Sequence, residues 1–277
     1  MFNPLINARG KLRNGWWIAI FFIALAALLA PLLIIARDGD AQVAIWKQAL
    51  IVVVASVMCQ VLRRRPLAEV FGRFDGRWIA QLALGLALGA LLMLTPAALL
   101  WVLGAVHWSA GAGSAALLQS LALFAAVAVT EEVLFRGFLF QRLIDGLGVW
   151  IAQLLMAGLF LLTHSDAIAH AGDIGVLAAI NIFIASFMFG AAYLRTRSLA
   201  LPIGLHLAAD FVQGGVLGFG VSGNDDPSLL HAQLGGPDWL TGGVFGLEAS
   251  VPGLVVVLIL TALLMFWRTD GVTNQPR

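Results

Sequence analysis

Eight runs of apolar residues follow one another along this chain, at about 16–35, 43–62, 78–103, 117–143, 149–164, 174–194, 199–217 and 251–267. Crossing the hydrocarbon core of a bilayer takes about 20 predominantly apolar residues, and all but the short fifth run come close to that length or exceed it. Backbone polar groups in lipid have no water to bond, so each run is expected to be a helix. Only 11% of the 277 residues are charged, against about 25% in soluble domains, too few to coat a globule. The expected fold is all-α: a polytopic membrane helical bundle of about eight transmembrane helices, forming one transmembrane domain over residues 1–277.

Charge in the connections gives an orientation. Lys11, Arg13 and Arg9 precede the first run, and Arg63, Arg64, Arg65, Arg73 and Arg77 lie between the second and third. Arg136 and Arg142 end the fourth, Arg195 and Arg197 separate the sixth from the seventh, and Arg268 and Arg277 follow the eighth. Of the sixteen basic residues only Arg37 and Lys47 fall outside this set. The positive-inside rule then places both termini in the cytoplasm and requires an even number of spans. The first run is longer than a signal-peptide core and more spans follow it, so it reads as an uncleaved anchor. The expected location is the plasma (inner) membrane. The Gly-rich stretch 218–250 is expected to be a flexible loop facing outward, with Trp239 and Phe245 resting at the interface. Cys59, the single cysteine, allows neither an intramolecular disulfide nor a thiolate cluster. The basic residues follow topology and form no single patch, which argues against a nucleic-acid partner.

Ionisable side chains near the bilayer centre cost roughly 2.5–3.5 kcal/mol each, so a functional reading is the default. The fourth run contains Thr130-Glu131-Glu132, with Arg136 four residues after Glu132 on the same helical face. That pairing accounts for Glu132 and leaves Glu131 without a local partner. The fifth run ends Phe160-Leu-Leu-Thr163-His164, and the seventh holds His206 and Asp210 one turn apart. Taking the fourth run as one helix to Leu143, Glu131 lies roughly 18–20 Å from the cytoplasmic face, His164 roughly 22 Å and His206 and Asp210 roughly 10–17 Å. Three helices thus bring polar residues toward one layer. A carboxylate facing an imidazole can polarise a water between them, and a second histidine can steady the oxyanion that water's attack creates. No serine or cysteine is placed as a nucleophile, which favours direct attack by water.

The three motifs, Glu131-Glu132-x-x-x-Arg136, Phe160-x-x-x-His164 and His206-x-x-x-Asp210, resemble those of the CAAX protease and bacteriocin-processing (CPBP) family, the Abi or type II CAAX prenyl endopeptidase group of intramembrane enzymes. The resemblance covers roughly residues 115–217. It implies that Glu131 and His164 activate the water, that His206 and Asp210 form the oxyanion site, and that Glu132, Arg136 and Phe160 support them. Where this chain has Asp210 the eukaryotic prenyl endopeptidases have asparagine; an ionised aspartate repels an oxyanion. The implied partners are the lipid bilayer and a peptide or protein substrate, lipidated or membrane-associated. No cofactor is expected: Glu, His and His could ligate zinc, but no His-Glu-x-x-His pair is present.

Other readings use the same residues. A non-catalytic relative would serve as a membrane scaffold or in bacteriocin self-immunity. A transporter would show paired repeats and broken helices in matching places, and neither is visible. His164, Asp166, His170 and Asp173 offer a second possible metal set, though an interfacial loop is the better account of them. Asn181, Gln153 and Gln213 are expected to tie helices together by hydrogen bonds worth about 0.6 kcal/mol each, with Asn181 at mid-span the most informative to test. Gly85-x-x-x-Gly89 is expected to let two helices approach closely.

Overall fold

Each apolar run forms helix, because in a lipid-like setting only intrachain i to i−4 bonds satisfy the backbone. The computed structural model describes residues 4–7, 10–37 and 43–267. In chain order the helices are α1 (Asn14–Arg37), α2 (Ile45–Leu62), α3 (Ala68–Phe71), α4 (Gly76–Val102), α5 (Ser114–Arg136), α6 (Phe138–Leu147), α7 (Val149–Thr163), α8 (Ser165–His170), α9 (Gly175–Thr196), α10 (Ala200–Asp210), α11 (Asp238–Thr241) and α12 (Val251–Phe266). Strands β1 (Val106–Ala110) and β2 (Leu230–Leu234) pair antiparallel, Val106 opposite Leu234. Arg9, Arg268 and Arg277, and with them the chain termini, lie outside the described residues.

Among the described residues, five helical stretches are long and apolar enough to cross a membrane; Val149–Thr163 and Val251–Phe266 are apolar but shorter. Large apolar side chains cover their outer faces, among them Ile23, Leu91, Leu154, Ile180 and Leu263. A soluble protein rarely leaves so much apolar surface bare, whereas lipid is its natural solvent. The chain is an all-α membrane bundle.

The fourth apolar run is two helices. α5 stops at Arg136, and a Cβ on Gly137 would sit 2.2 Å from the Val133 carbonyl oxygen, so only glycine fits the corner. α6 then folds back against α1 and α7. The straight helix to Leu143 assumed for the depth of Glu131 is therefore replaced: Glu131 is five residues from the end of its helix, about 7.5 Å along the axis.

α4 and α10 make the closest helix pair. Gly85 and Gly89 of α4 lie against the backbone of Leu201 and Leu205, and Gly204 of α10 lies against that of Leu82 and Leu86. Without side chains at these points the two backbones touch, as the small-residue spacing predicts. α10 carries His206 and Asp210, so this contact fixes where the third motif stands. Directly after Asp210 the backbone widens into a π-helical turn, Phe211–Val216, a departure frequently found at functional sites.

The 218–250 stretch is folded, not a flexible loop. β2 pairs with β1, the Ser120 hydroxyl donates to the Pro227 carbonyl at 2.7 Å, and Trp108 Nε1 donates to Leu217 at 2.9 Å. Phe245, expected at the interface, is fully buried with Leu247 and Ala249, while Trp239 remains exposed. Gln213 donates to Gly220 at 2.7 Å, inside this segment, so it ties a loop down instead of joining two helices. Gln153 does join helices, reaching from α7 to the Phe187 carbonyl at 3.3 Å.

Candidate active site

Three helices, α5, α7 and α9, converge on one buried arginine. Arg136, 1% exposed, pairs with Glu132, 0% exposed, at 3.2 Å. It also donates to the Ser186 carbonyl at 3.0 Å and to the Ser186 hydroxyl at 2.9 Å. The guanidinium lies 4.9 Å from the Phe160 ring and 5.1 Å from the Phe189 ring, so aromatic faces replace much of the water it gave up. Burying a charge is tolerated when it is paired and hydrogen-bonded, and this one is.

Phe160 gives the second motif its meaning. Its ring packs on Arg136 and on the His164 imidazole, at 4.6 Å. Its carbonyl oxygen lies 2.8 Å from His164 Nδ1. A carbonyl only accepts, so Nδ1 carries the proton, and in the neutral ring Nε2 is left as the open base.

His206 is held on both nitrogens. Nδ1 is 2.8 Å from Glu132 Oε1, and Nε2 is 3.4 Å from Asp210 Oδ2 and 3.7 Å from Glu131 Oε2. The ring stacks on Phe189 at 4.7 Å. Glu132 thus links Arg136 to His206, and Glu131 meets the third motif across the helix interface.

Glu131, His164, His206 and Asp210 line a single cavity of about 630 Å³, together with Phe160 and Asn181. Every candidate except Glu132 and Arg136 reaches it; those two lie behind His206. Asn181 lines the cavity, is 1% exposed, and its Nδ2 has no hydrogen-bond partner among the described residues, so it does not tie helices together as expected.

Glu248, Ser222, Asp226 and Asn224, which no spacing in the sequence marks, are brought to the same cavity by the folded 218–250 segment. Glu248 Oε1 accepts from the Ser222 hydroxyl at 2.9 Å and from the Ser222 backbone N–H. Burial pushes its carboxyl up to about 7, helped by the Asp210 carboxylate and opposed by the Ser222 bonds and His164. Glu248 lies 38 residues beyond Asp210 with no shared periodicity, so no local pattern marks it. Asp166 stands at the rim, and His170 Nδ1 bonds to its carbonyl at 2.8 Å on an exposed turn. Among the described residues, no three histidine, cysteine or carboxylate side chains gather as a metal-binding group.

A family model described as "Type II CAAX prenyl endopeptidase Rce1-like" matches residues 113–212, which take in all three motifs. No curated protein and no solved structure gives a significant match.

Proposed function

From the premise that residues 113–212 place this chain in the CAAX protease family, we propose that it is an intramembrane endopeptidase using Glu131 and His164 to activate a water molecule. The observation that carries this reading is the shared cavity, where a carboxylate on α5 and an imidazole ending α7 flank space for water and a peptide. The water oxygen attacks the scissile carbonyl carbon while Glu131, or His164 through its open Nε2, takes the proton. That proton passes to the amide nitrogen as the carbon–nitrogen bond breaks. His206, held by Glu132 and Asp210, and the Asn181 amide supply donors to the oxyanion. Asp210, being a carboxylate, acts by orienting His206.

The chemistry needs no metal in this reading. The bundle spans a plasma membrane eight times with both termini cytoplasmic, and the substrate is a peptide or protein at the membrane. Purified protein, tested on a quenched-fluorescent peptide library, is expected to lose activity about 10²–10⁴-fold in Glu131→Ala and in His164→Ala, and to be insensitive to chelator in the wild type. Undiminished cleavage by either variant overturns the assignment; inactivation by chelator with recovery on adding zinc makes it a metalloenzyme.

A further inference from the structure

The two ends of the bundle are knit together separately, and they differ in charge. At one end Arg142 bonds to Asn14 at 3.3 Å, Gln141 Nε2 donates to the Glu69 carbonyl at 2.7 Å, and Arg63 stacks over Trp17 and Phe138. The Leu199 N–H donates to the Phe71 carbonyl at 3.4 Å, and Arg195 donates to the Leu264 carbonyl at 2.6 Å. These contacts gather the start of α1, the α2–α4 connection, α6, the α9–α10 connection and the end of α12. Arg63, Arg64, Arg65, Arg73, Arg77, Arg142, Arg195 and Arg197 all belong to this end.

The opposite end is formed by β1 with β2, Ser120 with Pro227 and Ser222 with Glu248. Its connections 104–116, 165–173 and 218–250 hold no lysine or arginine; they carry Asp166, Asp173, Asp225, Asp226, Asp238 and Glu248. Arg37 and Lys47, at the α1 and α2 ends, are the exceptions on this side. The cavity is built at this acidic end. Its wall takes the start of α2, the end of α7, the start of α8, and Ser222, Asn224, Asp226 and Glu248. Its rim is open: the Asp166 side chain is 96% exposed and Asn224 is exposed. Among the described residues, no lysine or arginine lines it.

Basic connections are retained in the cytoplasm. We infer that the cavity opens to the non-cytoplasmic face, so that the substrate is a polypeptide segment presented outside the cytoplasm and not the tail of a cytosolic protein. The word substrate rests on the hydrolase reading; the direction of opening does not.

The test needs no cleavage. In a Cys59→Ser background, Asn224→Cys at the rim, Val127→Cys within the cavity and Arg73→Cys at the basic end are expressed singly in intact cells. A small, charged, membrane-impermeant methanethiosulfonate is added outside, then again after permeabilisation. Asn224→Cys and Val127→Cys are expected to react in intact cells, and Arg73→Cys only after permeabilisation. Reaction of Arg73→Cys alone in intact cells, equal reaction of Arg73→Cys and Asn224→Cys there, or a Val127→Cys that reacts only after permeabilisation overturns the inference. Loss of peptidase activity in Glu131→Ala bears on the hydrolase alone, so the two readings fail separately.

Discussion

Gly89→Ala places one methyl group where α4 and α10 touch. A Cβ built on Gly89 lies 2.2 Å from the Leu205 carbonyl oxygen and 2.9 Å from the Ala209 nitrogen. Both are backbone atoms, so no rotamer relieves the contact. Restoring an ordinary separation of about 3.4 Å requires α10 to move by about 1.2 Å, the difference between the two distances. His206 follows Leu205 directly and moves with it. The 2.8 Å bond from His206 to Glu132 is then strained and, where the shift lies along it, opens to as much as about 4 Å, beyond hydrogen-bond range. Overpacking costs about 1–3 kcal/mol, and a clash with main chain belongs at the upper end. For a chain of this size that lowers the melting temperature by about 6–12 °C, while a misplacement of about 1 Å at a catalytic group costs about 10²-fold in rate. The nine tryptophans report unfolding in detergent by fluorescence, and peptide cleavage reports the site. Gly158→Ala is the control, since a Cβ on Gly158 meets nothing within 4 Å and alanine favours helix by about 1 kcal/mol. A Gly89→Ala protein that melts with the wild type and cleaves at its rate would refute the close contact and its role in placing His206.

Arg136→Met keeps most of the side-chain volume but strands Glu132 with His206 as its remaining partner. The expected loss is about 3–5 kcal/mol, with most of it recovered in Glu132→Gln/Arg136→Met; an additive double variant, read by unfolding midpoint, would show that the pair is not coupled. Glu248 gives a pH dependence of stability. With its carboxyl raised to about 7 from 4.5, the folded state holds the proton more tightly than the unfolded. Its contribution is therefore full below about pH 4.5, declines as pH rises toward 7, and is level above that. Glu248→Gln should flatten that decline in a melting series from pH 4 to 8, and identical slopes would contradict the buried placement. Asn181→Leu removes a donor that no group among the described residues accepts. It should leave the melting temperature unchanged and lower kcat about 10²–10³-fold with little change in KM; an unchanged kcat would remove Asn181 from the oxyanion site.

Hydropathy alone delivered the helices, because a lipid-soluble helix is specified by its own side chains and satisfies its own backbone. The eight runs reappear as helix with ends shifted by a few residues, apart from the fourth, which breaks at Gly137. That break was hidden because apolar residues flank Arg136 and Gly137 on both sides, so hydropathy does not mark the corner, while the cause is a steric contact with Val133. Gly85 and Gly89 were legible as a packing surface from their spacing, and Glu132 with Arg136 as a pair from theirs, because both relations lie within one or two turns of a helix. What only the tertiary structure decided is everything that joins distant residues. Examples are the Glu132–His206 bond across 74 residues, the unpartnered Asn181 amide, and the folding of 218–250 into a cavity wall that brings in Glu248. Such contacts depend on how helices tilt and which faces meet. A sequence records each helix's chemistry but not its angle to the next.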